Sequence, residues 1–226
     1  MKLDKTEIAR RQLGTALALF LQDWDPVSVH ALACAGCEIA EHLTRKAGEE
    51  PFSTHALLTF PDLDIGKIRR LKNQYWNAFK HAQMRDGIER EDSELLERFG
   101  DEVNDHTLYI GWHDYMLAVG ILPIEAQIFE AWYFALYLEK LNPEVDTTTH
   151  RRLFPASKQV PGRPKRGAAR SHLLVPTKCR SHDSPENRSQ TAYAARLGVQ
   201  VPMNAPCRYT LGLGYASLFP RSVCTG

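Results

Sequence analysis

The sequence predicts an all-α protein, an antiparallel helical bundle of about five main helices carrying a disordered basic C-terminal tail. Three observations predict it. Apolar residues in the first two-thirds recur at three- and four-residue intervals, the period of one helix face. Nothing there alternates with period two for long enough to demand a sheet, and no internal repeat is visible. Charge and composition change abruptly near residue 150. Residues 1–150 hold 15 Lys+Arg against 25 Asp+Glu, a net of −10, and all four tryptophans. Residues 151–226 hold 13 Lys+Arg against 2 Asp+Glu, a net of +11, and eight of the 13 prolines. Large aromatics supply much of the area a small core buries, so the core is expected from 1–150 with the tryptophans inside it.

The first helix is expected over 4–21. Asp4 and Glu7 have the spacing of a capping box, and Ala9, Leu13, Ala16, Leu17 and Phe20 form one apolar stripe. The second has the sharpest boundaries. Asp25 can cap it, Pro26 fits the first position because its missing N–H costs nothing there, and Gly48 can end it. Its inward face is Val29, Leu32, Ala33, Gly36, Ile39, Ala40 and Leu43; the small residues Ala33, Gly36 and Ala40 admit a close neighbouring helix. Residues 49–63, with Pro51 and Pro61, read as a long loop. A third helix is expected over 64–82, with Ile65, Ile68, Tyr75, Phe79 and Ala82 on one side. The polar run 83–92 reads as a loop, and 93–99 as a short helix. Asn104 and Asp105 can start a helix reaching Val119, with Leu108, Trp112, Tyr115 and Val119 inward. Pro123 opens the last helix, 124–137, whose buried side is Ile128, Ala131, Trp132 and Ala135.

From about Ser157 the stretch QVPGRPKRGAARSHLL is basic and rich in Pro and Gly, and later apolar pieces lack sustained periodicity, so disorder is expected. Two readings of 157–226 stand. One is a basic arm that contacts nucleic acid or an acidic surface. The other is out-of-frame sequence never selected to fold with this domain, favoured by the loss of acids and the scattered Cys179, Cys207 and Cys224. The N-terminus lacks the apolar run of a signal peptide, no stretch is long enough to span a membrane, and five cysteines make no disulfide framework. A cytoplasmic location with reduced thiols is expected, and no membrane partner.

Several chemistries lack their motifs. There is no Gly-rich phosphate loop, no G-x-S-x-G elbow and no H-E-x-x-H. Cys34-Ala35-Gly36-Cys37 spells C-x-x-C but falls mid-helix, where the dipole does not help a thiolate. On the second helix His30, Cys34, Cys37 and Glu41 share a stripe of metal-ligand types, so His30, Cys34 and Glu41 are candidate ligands. Side chains strung along a rod cannot all converge on one tetrahedral ion, and the alternative is that the two cysteines are small apolar fillers. On the third helix Arg70, Asn73, Asn77, Lys80 and His81 form a stripe of cations and amides, a candidate binding face for a phosphate or a base. Its alternative is a solvated helix face. Asp86, Glu89, Glu91, Asp92, Glu94 and Glu97 lack the ligand period of a Ca²⁺ loop and read as solvated surface. His106 and His113 read as surface or core-edge histidines.

The run His30-Ala31-Leu32-Ala33, then Glu38-Ile39-Ala40 and Leu43, then Phe79-Lys80-His81-Ala82 followed by Arg85-Asp86, resembles a group of small bacterial all-helical proteins with no assigned activity. The resemblance covers about 5–150 and implies the fold. A looser similarity is to HEPN-like helical domains, many of which are RNases or partners of nucleotidyltransferases in toxin–antitoxin and defence systems. Their catalytic motif sets an Arg before a His with four to six residues between them. Here His81 would need an Arg at 74–76, where Gln74, Tyr75 and Trp76 stand, so the motif is broken and RNase activity does not carry over. Three functions follow as expectations. The first is a non-catalytic, partner-binding domain, a homodimer or bound to another protein. The second is a HEPN-like protein acting on RNA or nucleotides, and the third is a metal-binding bundle. No cofactor is called for by any motif.

Overall fold

Short acidic side chains fix where three of the helices begin. Asp4 takes the Glu7 amide at 2.9 Å, Asp25 takes the Val27 and Ser28 amides at 3.3 and 3.0 Å, and Asp64 takes the Lys67 amide at 2.8 Å. Each satisfies donors that the first helical turn cannot pair internally. The computed structural model describes residues 3–59, 62, 64–138, 148 and 154. Among them the elements are α1 (Lys5–Leu21), α2 (Pro26–Lys46), α3 (Phe52–Thr59), α4 (Ile65–Lys80), α5 (Ser93–Glu97), α6 (Glu102–Val119) and α7 (Ile124–Leu136). No strand occurs among the described residues, only an isolated antiparallel bridge between Gln83 and Glu89. The protein is all-α.

Residue pairings give the directions. A four-residue link folds α1 back on α2, so the two run antiparallel. α6 lies parallel to α2: His30 meets Asn104, the Cys37 thiol meets the Thr107 carbonyl, and Thr44 meets the Asp114 carbonyl. α4 runs back along α2, with Lys72 on Glu41 and then Tyr75 and Phe79 on His30. That return is what allows α6 to start beside the start of α2. α7 is antiparallel to α6, pairing Tyr137 with Asp105 and Tyr133 with His106.

Close approach explains the heart of the bundle. Leu13 of α1 seats between Gly36 of α2 and Gly111 of α6. A Cβ on Gly36 would lie 2.7 Å from Leu13 Cγ, and one on Gly111 would lie 2.5 Å from Leu13 Cδ2 and 2.8 Å from Cys37 Sγ. Below this contact Phe20 meets Phe129 and Trp132 edge-on at 5.7 and 5.8 Å, and Tyr109 stacks on Tyr133 at 4.3 Å.

Four expectations are corrected. Residues 52–59 form α3 rather than part of a loop, because Phe52, Ser53 and Ala56 are buried against the bundle. Only Trp112 and Trp132 are core tryptophans. Trp24, in the α1–α2 link, is 58% exposed, and Trp76 lies under the Lys80 ammonium, 3.5 Å from its ring centroid. Val119 and Ala82 face solvent because the chain turns away from the core where α6 and α4 end. Phe154, beyond the boundary read at 150, is buried in the same core cluster, so the body extends at least that far. Apart from Phe154, the basic tail 151–226 lies outside the described residues, as does the expectation of disorder there. No helix among the described residues is long and apolar enough to cross a membrane.

Candidate functional site

The residues that could carry chemistry fall into three groups, and α2 or α6 positions each. The first surrounds His30, which is 1% exposed. Its ring is boxed edge-on by Tyr75, Phe79 and Phe99 at 6.0, 5.7 and 5.5 Å. Nδ1 stands 3.0 Å from Asn104 Oδ1 and Nε2 stands 3.4 Å from Cys34 Sγ. The amide oxygen can only accept, so Nδ1 carries the proton and Nε2 accepts from the thiol. Asn104 completes the chain by donating to the Pro26 carbonyl and to Asp101 at 3.0 Å each. Burial lowers the His30 imidazole below its ordinary range, against the pull of Asn104, and burial raises the Cys34 thiol far above its own. A neutral ring and a protonated thiol, each hydrogen-bonded, are a satisfied polar core. Of the candidate metal ligands, His30 and Cys34 do meet, but Glu41 lies two turns further along α2 and is bound elsewhere. Among the described residues no three His, Cys, Asp or Glu side chains are placed to share an ion.

The second group is a half-buried ion pair. Lys72 lies on the apolar side of α4, one turn from Ile68 and from Tyr75, and donates to Glu41 Oε2 at 2.7 Å. Arg45 donates to Glu41 Oε1 at 2.6 Å, and Ser53 of α3 donates to the same oxygen at 3.2 Å. Burial alone would raise the Glu41 carboxyl; the Lys72 ammonium and the Arg45 guanidinium outweigh it and hold the group below its ordinary value. Burial pulls the Lys72 ammonium down, and Cys37, Glu41 and Asp114 more than offset it. Burial pushes the Cys37 thiol up to about 12.

The third group gathers at the corner of α3, α6 and α7. Asp114 is fully buried, and its Oδ1 accepts the Phe52 amide at 2.7 Å while standing 3.4 Å from His113 Nδ1. Asp114 Oδ2 has no hydrogen-bond donor among the described residues. The His55 ring meets the His113 ring edge-on at 6.1 Å, and Phe52 meets His113 edge-on at 5.6 Å. Glu130 falls near His113 in the antiparallel register set by the pairs 109/133 and 105/137. Burial lifts its carboxyl to about 7, with the His113 charge pulling the other way. The sequence pointed to none of Lys72, His55, Asp114 and Glu130. One signal was available for Lys72: a cation breaking the apolar stripe between Ile68 and Tyr75 must find an acid.

Among the described residues, no hydrogen bond or ion pair joins the α4 stripe to a polar group of another helix. Arg70 is exposed near Asp64, Lys80 is exposed and spends its charge on Trp76, and His81 is the exposed C-cap. Asn73 and Asn77 are half-buried along the same helix. The remaining feature of this side is charge. α4 contains Lys67, Arg69, Arg70, Lys72 and Lys80 and no acid, on a body whose net charge is −10. Lys72 turns inward, while Arg69, Arg70 and Lys80 face solvent and form no salt bridge among the described residues. Just beyond α4 the chain makes a tight hairpin: Met84 N–H donates to the Ile88 carbonyl at 2.7 Å and Arg90 N–H to the Ala82 carbonyl at 3.0 Å. Gly87 turns its tip at φ +83°, and Met84 and Ile88 project from it, 54% and 62% exposed. Neither a family model, nor a curated protein, nor a solved structure matches this chain.

Proposed function

We propose that this domain is a non-catalytic binding module whose α4 face takes an acidic segment of a partner protein. The observation that supports it is the α4 sequence: five cations and no acid, three of the cations open to solvent, on an otherwise acidic body. Cations concentrated on one face steer and orient an oppositely charged partner. The Met84 and Ile88 side chains at the end of that face offer apolar contact beside the charge, the combination an interface core needs. Catalysis by the stripe has less support, because among the described residues His81 and Lys80 meet no polar group from a second helix.

The test compares the full chain with a triple variant, Arg69→Glu, Arg70→Glu, Lys80→Glu, against polyglutamate peptide and against single-stranded RNA. The tail carries +11 and binds either probe by charge alone, so the difference between the two proteins is what counts. The expected result is peptide binding at least tenfold weaker in the variant, with the gap closing as salt screens it. Equal peptide binding by the two proteins would remove the proposal. A loss confined to RNA, with a steep salt slope, would move the site to the nucleic-acid reading.

A further inference from the structure

Resting on the binding face assigned to α4, we propose that its partner is a second copy of this chain, paired so that the α4 face of each copy meets the acidic ridge 86–97 of the other. The two surfaces are neighbours on one side of the bundle. The hairpin returns the chain alongside the end of α4, since Arg90 N–H reaches the Ala82 carbonyl at 3.0 Å. The end of α5 then lies against the same helix. The Phe99 ring meets Tyr75 and Phe79 at 5.1 Å each, and the Tyr75 hydroxyl donates to the Arg98 carbonyl at 3.3 Å.

Their charges are opposite. On α4, Arg69 and Lys80 lie about three full turns apart and so share one face, with Arg70 beside it. On the ridge, six acids stand against one cation, a net of −5. Part of that charge is answered locally: Arg90 holds Asp92 through two hydrogen bonds of 2.7 Å, and Arg98 holds Glu94. Asp86, Glu89, Glu91 and Glu97 are exposed and form no salt bridge among the described residues, matching the open Arg69, Arg70 and Lys80. Where the two surfaces join, Met84 and Ile88 project from the hairpin, and Leu96 of α5 is exposed on the ridge. A surface with both signs side by side is its own complement. A two-fold axis at the hairpin lays each basic face on the other copy's ridge and gathers Met84 and Ile88 of both copies at the centre. Apolar contact within a polar rim is how protein interfaces are built.

Sedimentation equilibrium of the full chain at low salt, where surface charge is least screened, tests this. Two triple variants are compared with the parent: Arg69→Glu, Arg70→Glu, Lys80→Glu on the basic face, and Glu89→Lys, Glu91→Lys, Glu97→Lys on the ridge. The parent is expected to dimerise, and each variant alone to dimerise at least tenfold more weakly. Mixed in equal amounts, the two variants are expected to form a one-to-one heterodimer, because every reversed surface then faces one of opposite sign; misfolded variants would not do so. Adding Ile88→Gln to the ridge variant should weaken that heterodimer at least tenfold, whereas attraction by net charge alone would survive it. A monomeric parent, a dimer that persists in the basic-face variant, variants that fail to associate when mixed, or a heterodimer indifferent to Ile88→Gln would each overturn the pairing. Loss of the dimer in the ridge variant alone would assign the ridge to the +11 tail and overturn it equally. Polyglutamate separates the two proposals: a monomeric parent that binds the peptide through α4 loses only the second copy, and one that fails in both loses the α4 face as well.

Discussion

Single side chains settle which titrations matter to stability. Burial lowers His30 and His55, so the folded protein resists protons that the unfolded chain accepts; their contribution is complete above the ordinary imidazole range and is lost as pH falls from there through the lowered folded values. Glu130 works in the opposite sense. Its folded value of about 7 exceeds the ordinary 4.5, so its contribution is complete below 4.5 and is lost as pH rises through 7. Glu130→Gln is therefore expected to melt higher than the parent at pH 8, and the difference should shrink toward nothing at pH 4.5. A melting series by circular dichroism checks it, and a gap independent of pH would show that ionisation of this carboxyl is not the cause. At this scale the sequence disclosed residue types and not their partners. His30, Cys34 and Glu41 were visible as one stripe, yet two of them close a hydrogen-bond chain to Asn104 and the third closes an ion pair to Lys72. Those partners are 74 and 31 residues away in sequence, beyond the reach of any local spacing rule.

Elements were legible where periodicity and caps agreed. α1, α2, α6 and α7 each bury most of the stripe their spacing marks, and the caps at Asp4 and Asp25 form as their positions suggest. α3 was not legible, because Phe52-Ser53-Thr54-His55-Ala56-Leu57 has no clear apolar face and lies between two prolines. Its helix comes from docking rather than from its own pattern. The small-residue stripe of α2 correctly announced a close neighbour but could not name Leu13, nor show that Gly111 forms the other wall. That contact gives an element-scale prediction. Gly111→Ala should gain up to about 1 kcal/mol in helix propensity and lose roughly 1–3 kcal/mol to overpacking against Leu13 and Cys37. Strain wins, since the new methyl would sit 2.5 Å from Leu13 Cδ2. Urea denaturation should show net destabilisation, partly recovered by adding Leu13→Val. A neutral or stabilising Gly111→Ala would mean the three helices are not held at this separation.

For the protein as a whole, the body is acidic, helical and closed by Phe154, and the basic remainder follows. A chain ended after residue 156 should therefore melt cooperatively and within a few degrees of the full protein. One ended at 150 should lose stability, by roughly 3–5 kcal/mol if Phe154 counts as a full core aromatic. Equal melting of the two truncations would show that Phe154 is dispensable to the core.

Amino-acid order alone was enough for the all-α class, the starts of α1, α2, α4, α5 and α7 and most of the inward faces, because these follow from hydrophobic period and from capping, both local properties; α6 starts at Glu102, ahead of the Asn104–Asp105 start read from the sequence. It was also enough to mark α4 as the basic face of an acidic body, since charge along a helix needs no fold to be counted. Packing settled the rest: that α2 and α6 run parallel, that Lys72 turns inward while Arg69 and Arg70 do not, and that His55, His113, Asp114 and Glu130 share one corner. The reason is that burial and the meeting of charges depend on contacts between residues far apart in the chain. Such contacts exist only once the helices have packed.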